Sequence, residues 1–397
     1  IWSNFGTVRT LFSKDPSLPC YHRHQSMLIP TAVNALKSSR SISWLPTGRL
    51  QQTLARCLEL SGISLHSGKV SKVKLCPEFA GRGRYFDFKS NFIPASINYA
   101  EESPLCTTLS KDGFKIRTVE HLLSAMEAMG VDNCRIEIAN EDDKDSEVEV
   151  PIFDGSAGKW VDAIEEIGLK LAIDQCGNCC EKMAPYVNQP VHVWRNDCYL
   201  VAFPASAVCI TYGIDFPQVP DIGRQWFSTA PLDNMFYAEQ IAPSRTFCIY
   251  EEVEQMRNMG LIKGGSIENA LVCSVSKGWI NPPLRFHDEP CRHKVLDLIG
   301  DLSLFAQLGS QGIPVAHIVV YKIKRNLFRK MFEESRLPLS IIHIRVVIAV
   351  VCLKTLRCSC RVVMLRTLIL FAAYQKTFEW TSNYFPLQKC ENILQPR

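Results

Sequence analysis

The sequence predicts an α+β fold built from two similar halves. Segments that alternate apolar and polar residues, typical of half-buried strands, occur in both halves beside segments with apolar residues at helical spacing. Between the halves, residues 173–190 are rich in Cys, Gly, Asn and Pro and indicate a linker. The chain has 397 residues and is 47% hydrophobic, which suffices for two domains with their own cores.

The first half contains strands and helices in alternation. Strands are predicted at residues 72–75 and 134–138, and helices at residues 120–129 and 157–167. Thr118 is expected to cap the first of these helices at its N-terminus. The Asp154-Gly155 turn, followed by Ser156 as N-cap, is expected to start the second helix and is interpreted as structural.

The second half repeats this pattern. Strands are predicted at residues 191–194, 199–202 and 209–216, and helices at residues 251–259 and 290–308. Gly264-Gly265-Ser266 resembles part of a phosphate-binding loop, but the Lys-Ser/Thr ending of a P-loop is missing. We therefore interpret these glycines as a turn.

The segment from residue 285 to 301 carries the densest chemistry of the chain. As a helix it places His293, Asp297 and Asp301 on one face, because positions four apart lie about 5–6 Å from one another. An imidazole at 293 and a carboxylate at 297 can then converge on one ion. Ordinary charged surface helices contain the same spacing, so a metal site requires a further ligand.

Glu120 and His121 supply that further chemistry from the first turn of the predicted helix 120–129. Two histidines and one aspartate match the donors of a catalytic zinc site, which keeps one position open for water. Such an ion polarises a carbonyl and lowers the pKa of its water towards about 7, while Glu120 can accept the proton. The set therefore predicts a zinc-dependent hydrolase.

Six segments, in order, resemble the UDP-3-O-acyl-N-acetylglucosamine deacetylase family, the zinc enzymes of lipid A biosynthesis. These segments are residues 61–68, 118–123, 150–157, 244–247, 264–270 and 292–301. The resemblance covers about residues 48–322 and is similar to the plant, mitochondrial-type branch. Each motif alone has low specificity, whereas the ordered set is highly specific.

The resemblance implies a role for each residue of the site. The implied metal ligands are His121, His293 and Asp297. The implied catalytic residues are Glu120 as general base, Thr246 beside the developing oxyanion, and Asp301, which orients a histidine of the family. The implied substrate-binding residues are Lys294, Phe247 and His66. The implied reaction is hydrolysis of the N-acetyl group of a UDP-linked acylated glucosamine, which releases acetate.

The resemblance also implies how the halves are arranged. Each family domain is a β-sheet backed by two helices, and the domains pack through their helical layers with the active site between them. Residues 48–172 and 191–322 would be these two domains. Residues 245–282 would form an inserted strand-helix-strand that makes a hydrophobic passage for the acyl chain.

One motif of the family is missing from this chain. The family's last strand is followed by a Gly-His-x-Leu turn, whereas residues 322–327 are Lys-Ile-Lys-Arg-Asn-Leu, with Arg325 in the register of the histidine. Arginine stays protonated and cannot transfer a proton near neutral pH. General acid catalysis typically contributes about 10²–10⁴-fold in rate. The alternative function is therefore an inactive or mis-spliced homologue that acts at most as a binding protein.

Charge and composition restrict partners and location. The net charge of +4 is modest and no basic patch is interleaved with aromatic residues, so no nucleic-acid partner is predicted. Residues 1–47 are rich in basic residues and serine, with Asp15 as their one acid, which is typical of an organelle transit peptide. A disordered leader without an address is the alternative. We expect a mitochondrial location.

The tail and the cysteines leave further alternatives open. Residues 323–397 depart from the family and are interpreted as a splice or gene-model product. The apolar runs at 339–353 and 362–373 are shorter than about 18 residues and carry basic residues nearby, so no firm membrane span is predicted.

The 17 cysteines are expected to be mostly reduced, with a second zinc site at Cys176, Cys179 and Cys180 as an alternative. Cys106, beside Thr107, lies in a segment that resembles the family's site-lining loop, and a buried structural thiol is its other interpretation. The sequence does not define an oligomeric state.

Overall fold

The computed structural model describes residues 41–322, apart from residues 102, 104, 141–144 and 282 and the side chains of residues 194 and 195. Arg325, both apolar runs of the tail and nearly all of the predicted leader lie outside the described residues. No helix in the described part combines the length and apolar character needed to cross a bilayer.

The first half contains twelve strands and two α-helices among the described residues. The strands are β1 (Ile42–Leu50), β2 (Gln52–Leu54), β3 (Leu58–Ile63), β4 (Val70–Pro77), β5 (Arg84–Phe88), β6 (Asn91–Pro94), β7 (Ala100–Glu101), β8 (Thr108–Lys111), β9 (Phe114–Arg117), β10 (Cys134–Asn140), β11 (Glu147–Glu149) and β12 (Leu169–Leu171). The helices are α1 (Glu120–Met129) and α2 (Gly158–Ile167), with a 3-10 turn at Ile97–Tyr99.

The second half contains nine strands and three α-helices in the part that the structure describes. The strands are β13 (Glu181–Val187), β14 (Val191–Arg195), β15 (Cys198–Pro204), β16 (Cys209–Phe216), β17 (Gly223–Ser228), β18 (Phe247–Ile249), β19 (Leu271–Ser274), β20 (Gly278–Trp279) and β21 (Ala316–Tyr321). The helices are α3 (Asn234–Gln240), α4 (Tyr250–Asn258) and α5 (Glu289–Ser303).

Two five-stranded sheets share one strand order and one pattern of directions. The first has the order β3-β4-β10-β5-β6 and the second has the order β14-β15-β21-β16-β17. Each central strand, β10 or β21, is antiparallel to one neighbour and parallel to the other. In each half one helix, α1 or α5, directly precedes the central strand in the element order. The predicted α+β class with two similar sheet-and-helix halves is confirmed.

Helices α1 and α5 pack against each other between the two halves. The Ser124 hydroxyl of α1 donates to the Leu296 carbonyl of α5 at 2.8 Å and accepts from the Tyr237 hydroxyl of α3, also at 2.8 Å. Fully buried side chains fill this contact, namely Leu122, Leu123 and Met126 of α1 and Val295, Leu296 and Ile299 of α5. Burying such a side chain contributes about 1.5–3 kcal/mol, so the core itself fixes both helices.

Strand β1 changes two predicted boundaries. It pairs with β13 in antiparallel register from Ile42 opposite Val187 to Leu50 opposite Glu181. Residues 42–47 of the predicted leader therefore belong to a strand, and the predicted linker 173–190 contains β13. Ile42 and Trp44 are 3% and 5% exposed, so burial of these side chains explains the pairing. Serine and proline in the leader, and Cys, Gly, Asn and Pro in residues 173–190, concealed it.

Helix ends differ from prediction by one residue in most cases and by five in one. α2 begins at Gly158 rather than Ala157, α4 spans Tyr250–Asn258 rather than 251–259, and α5 spans Glu289–Ser303 rather than 290–308. Apolar spacing continues after Ser303, but Leu308 and Gly309 have φ angles of 51° and 76°, which a helix cannot contain.

The predicted caps at Thr118 and Ser156 are not the N-cap residues. Val119 precedes α1, and Thr118 has a φ angle of 56° with its hydroxyl 2.8 Å from Glu149 Oε1. Ala157 precedes α2, although the Ser156 hydroxyl accepts from the Gly158 amide at 3.1 Å. The Thr118 hydroxyl therefore binds the buried carboxylate of Glu149 instead of capping the N-terminus of α1.

The described part of residues 245–282 contains a strand, a helix and two further strands, whereas the resemblance implied a strand, a helix and a single further strand. β18, β19 and β20 form a three-stranded sheet, and α4 lies between β18 and β19 along the chain. Gly264 packs on the loop after β3, where a Cβ atom would overlap the Ser64 carbonyl oxygen. This segment is therefore fixed against the first half.

Candidate metal centre

His121, His293 and Asp297 converge at the contact between α1 and α5. Nε2 of His121 and Nε2 of His293 lie 3.6 and 3.4 Å from Oδ1 of Asp297. All three potential ligand atoms lie within 4.8 Å of one another, and all three side chains are buried. Among the described residues, no other group of three His, Cys, Asp or Glu side chains meets this criterion, so Cys176, Cys179 and Cys180 do not form one.

The second ring nitrogen of His293 is held by backbone. Nδ1 lies 3.0 Å from the carbonyl oxygen of Ser244, which can only accept, so Nδ1 carries the proton and Nε2 keeps its lone pair. Nε2 is buried and has no hydrogen-bond partner in the described part of the chain. Burial, partly offset by Asp297, lowers the pKa of His293 to about 3, so the ring is neutral at physiological pH. A neutral nitrogen aimed at a carboxylate fits a divalent metal.

Lys294 and Phe247 lie beside this centre. The Lys294 ammonium is 2.8 Å from Oδ2 of Asp297 and 5.5 Å from the centre of the Phe247 ring. The structure therefore brings two of the predicted substrate-binding residues together at the edge of the candidate metal site.

Thr107 connects Glu120 with Asp301. Its amide donates to Oε2 of Glu120 at 3.0 Å, and its hydroxyl donates to Oδ1 of Asp301 at 2.6 Å. Glu120 is 2% and Asp301 6% exposed. Thr107 belongs to a segment predicted to line the site, but no role was predicted for it, because a single threonine before a short strand carries no periodic signal.

His66 lies on the loop after β3, which Glu149 fixes. The Glu149 carboxylate accepts from the amides of His66 at 2.9 and 3.1 Å and of Ser67 at 2.9 Å. The Ile262 amide donates to Nδ1 of His66 at 3.4 Å, so the inserted segment reaches the same loop. Burial raises the pKa of the Cys106 thiol, but interactions with His66 and Ser103 together outweigh this and lower it to about 7. His66 is therefore adjacent to the loop that carries Thr107.

The strap of residues 244–247 is anchored to the start of α5. Glu289, which is fully buried, accepts from the Arg245 amide at 3.0 Å and from its guanidinium at 2.8 and 3.1 Å. A buried bidentate pair of this kind fixes geometry as well as adding energy. The Thr246 amide donates to the Gly155 carbonyl at 2.8 Å. Thr246 thus lies in a rigid strap between Ser244 and Phe247, and its catalytic role stays a prediction.

A groove elsewhere on the molecule is distinct from this centre. It has a volume of about 1210 Å³, and its lining includes Lys159 of α2, Met235 of α3 and Arg285. None of the predicted site residues lines it.

The two sheet-and-helix halves, with a buried His-His-Asp group and a glutamate beside it, are the features of a metal-dependent hydrolase. Residues 51–334 match the family model described as LpxC: UDP-3-O-acyl N-acetylglycosamine deacetylase. The chain belongs to this family. The predicted resemblance is confirmed, and the match extends beyond residue 322, across the position of Arg325.

Named relatives agree with the family model. Probable UDP-3-O-acyl-N-acetylglucosamine deacetylase 1, mitochondrial, of Arabidopsis thaliana is 60% identical over 310 residues, which cover 75% of this chain and 95% of the relative. UDP-3-O-acyl-N-acetylglucosamine deacetylase of Synechocystis sp. is 41% identical over 286 residues, which cover 71% of this chain and 97% of the relative. The protein of that name from Trichormus variabilis is 44% identical over 284 residues, which cover 70% of this chain and 95% of the relative.

Proposed function

We propose that this chain is a zinc-dependent deacetylase that hydrolyses the N-acetyl group of UDP-3-O-acyl-N-acetylglucosamine and releases acetate. The convergence of His121, His293 and Asp297, with Glu120 next to His121, is the observation that carries this proposal. The substrate is inferred from the names of the relatives.

Zinc is the metal that we assign to His121, His293 and Asp297. Two imidazole nitrogens and one carboxylate oxygen form a donor set typical of catalytic zinc sites. When bound, the ion supplies Lewis acidity that polarises the amide carbonyl and acidifies water. The protein keeps His293 neutral and orients its ring through Ser244, which are the two conditions that binding requires.

Glu120 is the group that we assign as general base. Its carboxylate is buried and is positioned by the Thr107 amide, so it can accept a proton from the attacking water and later give it to the leaving amine. Water then adds to the acetyl carbon, the carbon–nitrogen bond breaks, and the amine leaves in protonated form. We assign Thr246 to the oxyanion and Asp301, held by the Thr107 hydroxyl, to charge stabilisation near the amine.

Lys294, Phe247 and His66 are assigned to the substrate. The Lys294 ammonium can exchange its contact with Asp297 for an anionic group of a nucleotide sugar. Apolar side chains of the inserted segment are solvent-exposed, namely Tyr250 at 52%, Met259 at 67%, Ile267 at 64% and Ile280 at 40%. Such exposure is consistent with a surface that receives an acyl chain.

We propose residues 48–172 and 191–322 as the two deacetylase domains, with β1 and β13 as an added strand pair. The Arabidopsis thaliana relatives are named mitochondrial, and this supports a mitochondrial location for the present chain.

Acetate release from UDP-3-O-acyl-N-acetylglucosamine by the zinc-loaded full chain tests the proposal. Glu120→Gln is expected to lower kcat by about 10²–10⁴-fold. Glu165→Gln, at an exposed position of α2, is the matched control and should not change kcat. The proposal fails if no folded, zinc-loaded form releases acetate, including an Arg325→His variant.

Arg325 supports the alternative of a binding protein without turnover, since its side chain cannot act as a general acid. Substrate binding without acetate release, unchanged by Arg325→His, would favour this alternative. A gain in kcat in Arg325→His would instead show a functional site weakened at that position.

A further inference from the structure

Cys57 and Cys76 lie at the open end of the β3–β4 hairpin, with their sulfur atoms 2.9 Å apart. The register pairs Leu58 with Leu75, so Cys57 and Cys76 are the next directly opposed positions of the two antiparallel strands. Opposed residues of such strands have Cα atoms about 4.5–5.5 Å apart. This range falls inside the roughly 4.4–6.8 Å that a disulfide requires. A bond between them therefore needs no movement of the backbone.

We infer that Cys57 and Cys76 form a reversible disulfide, a modification site separate from the metal centre. Cys57 is exposed, and Cys76 is 4% exposed behind it. A reagent in solution reaches Cys57 first, and Cys76 is the thiol within reach of the product. The arrangement supplies one attacking and one resolving cysteine.

The oxidant is a low-molecular-weight disulfide. The Cys57 thiolate attacks one sulfur of that disulfide and releases the first small thiolate. Cys76, after losing its proton, attacks the sulfur of Cys57 in the mixed disulfide and releases the second. Two protein thiols are oxidised, one small disulfide is reduced to two thiols, and the two protons pass to the released thiolates.

Neighbouring groups favour this pair over a third cysteine. Cys134 lies opposite Pro77 on β10 and is fully buried, and burial strongly raises its pKa, so it is not a competing nucleophile. Arg135 lies directly opposite Cys76 in the register, with its guanidinium in contact with the Cys76 thiol. Burial and the neighbouring Cys57 raise the pKa of the Cys76 thiol to about 11, and the Lys74 and Arg135 cations oppose this shift by stabilising the thiolate that the second step requires.

The disulfide would secure an edge of the first five-stranded sheet. β3 is the edge strand, its far end leads into the His66 loop, and Glu149 already fixes that loop. Closing the other end removes the remaining freedom of the hairpin to open. For a loop of this length we expect the melting temperature to rise by about 5–10 °C on oxidation.

Tryptic peptide mapping after exposure of the full chain to oxidised glutathione tests the inference. Free thiols are alkylated before digestion, and cleavage after Arg56, Lys69, Lys74 and Arg82 isolates the two cysteines in peptides 57–69 and 75–82. The expected product is these two peptides joined through one disulfide and separated by dithiothreitol. The melting temperature should rise on oxidation and fall again on reduction.

Cys57→Ser removes the exposed partner and should abolish both the joined peptide and the change in melting temperature. Cys176→Ser, at another exposed cysteine, is the matched control and should keep both. Independent alkylation of Cys57 and Cys76 in the oxidised sample, a glutathione adduct at Cys57 without a joined peptide, or a disulfide from Cys76 to Cys134 would each overturn the inference.

Discussion

The backbone of Gly300 in α5 packs directly on the backbone of Glu120 in α1. A Cβ atom at position 300 would lie 2.9 Å from the carbonyl carbon and 3.0 Å from the Cα atom of Glu120. Glycine is therefore required for the two helices to approach this closely. Because His121 follows Glu120 and Asp297 lies one turn before Gly300, this contact sets the spacing of the candidate metal ligands.

Gly300→Ala should separate the two helices and damage the centre. We expect the free energy of unfolding to fall by about 1–3 kcal/mol, as for other overpacked cores, and zinc affinity to fall with it. Urea denaturation and a zinc-binding titration measure the two effects. Gly158→Ala, in the first turn of α2, is the control, since a Cβ atom there would approach only the Ser156 hydroxyl, at 3.3 Å, and no backbone atom. Equal stability of Gly300→Ala and the parent chain would contradict the argument.

Metal removal should lower the melting temperature of the parent chain, and zinc should restore it. A ligand present at 100 times its Kd stabilises the native state by about 2.7 kcal/mol. In His293→Ala the zinc-dependent increase should disappear, because one of three protein ligands is lost. His287→Ala is the matched control, since its side chain is 91% exposed and lies outside the cluster. A zinc response that persists in His293→Ala would place the metal elsewhere.

Thr107 should act as a positioning residue through its hydroxyl. Thr107→Val keeps the amide that holds Glu120 but removes the donor to Asp301, so kcat should fall by about 10-fold or more with little change in KM. Thr107→Ser should restore most of the lost kcat, and steady-state acetate release measures both variants. Equal rates for the valine and serine variants would show that the hydroxyl has no part in turnover.

Glu149 should be required for the stability of the His66 loop. Glu149→Gln replaces an acceptor of amide and hydroxyl protons by a group that is half donor, at a position 3% exposed. We expect a loss of about 1–3 kcal/mol in the free energy of unfolding, measured by urea denaturation.

Glu147→Gln serves as the control for this change, because Glu147 lies on the same strand and pairs with Arg117 near the surface. Its loss should be within about 1 kcal/mol. The assignment is wrong if the two variants are equally stable.

His317 should make stability depend on pH. Burial lowers the pKa of His317 below its usual 6.5, and Nε2 lies 3.0 Å from the Thr211 hydroxyl. Between the folded and unfolded pKa values the unfolded chain binds more protons, so stability rises with pH there and is lost as pH falls below about 6.5. His317→Gln should therefore lose less stability than the parent chain between pH 7.5 and pH 5. An unchanged pH slope of the melting temperature would refute this.

Local periodicity in the sequence predicted most elements of the framework. The predicted limits of α1 and β16 match the structure, and both segments are buried over most of their length. The β1–β13 pair was missed because it joins segments more than a hundred residues apart, and no local pattern encodes such a partner. α5 was predicted too long because a positive φ angle, rather than a loss of apolar residues, marks the chain turn after it.

The chemistry of the candidate site was predictable where residue types are specific and spacing is local. His293 and Asp297, four apart on one helix, are an example, and His121 was added from the first turn of the predicted helix 120–129. The residues that position this site and its surrounding loops were not predictable. Thr107, Glu149 and the Arg245–Glu289 pair act through contacts that depend on how distant segments meet, and none of these residue types signals such a partner by itself.

The repeated sheet order contrasts with the unequal number of candidate metal ligands that each half supplies. A duplicated framework offers equivalent positions in matched pairs, yet α1 provides a single imidazole whereas α5 provides an imidazole and a carboxylate. The two lobes have thus diverged into non-interchangeable components. A chimaera carrying two copies of either lobe would retain the repeated sheet order. It would lack the set of two imidazoles and one carboxylate, because that set needs one copy of each lobe.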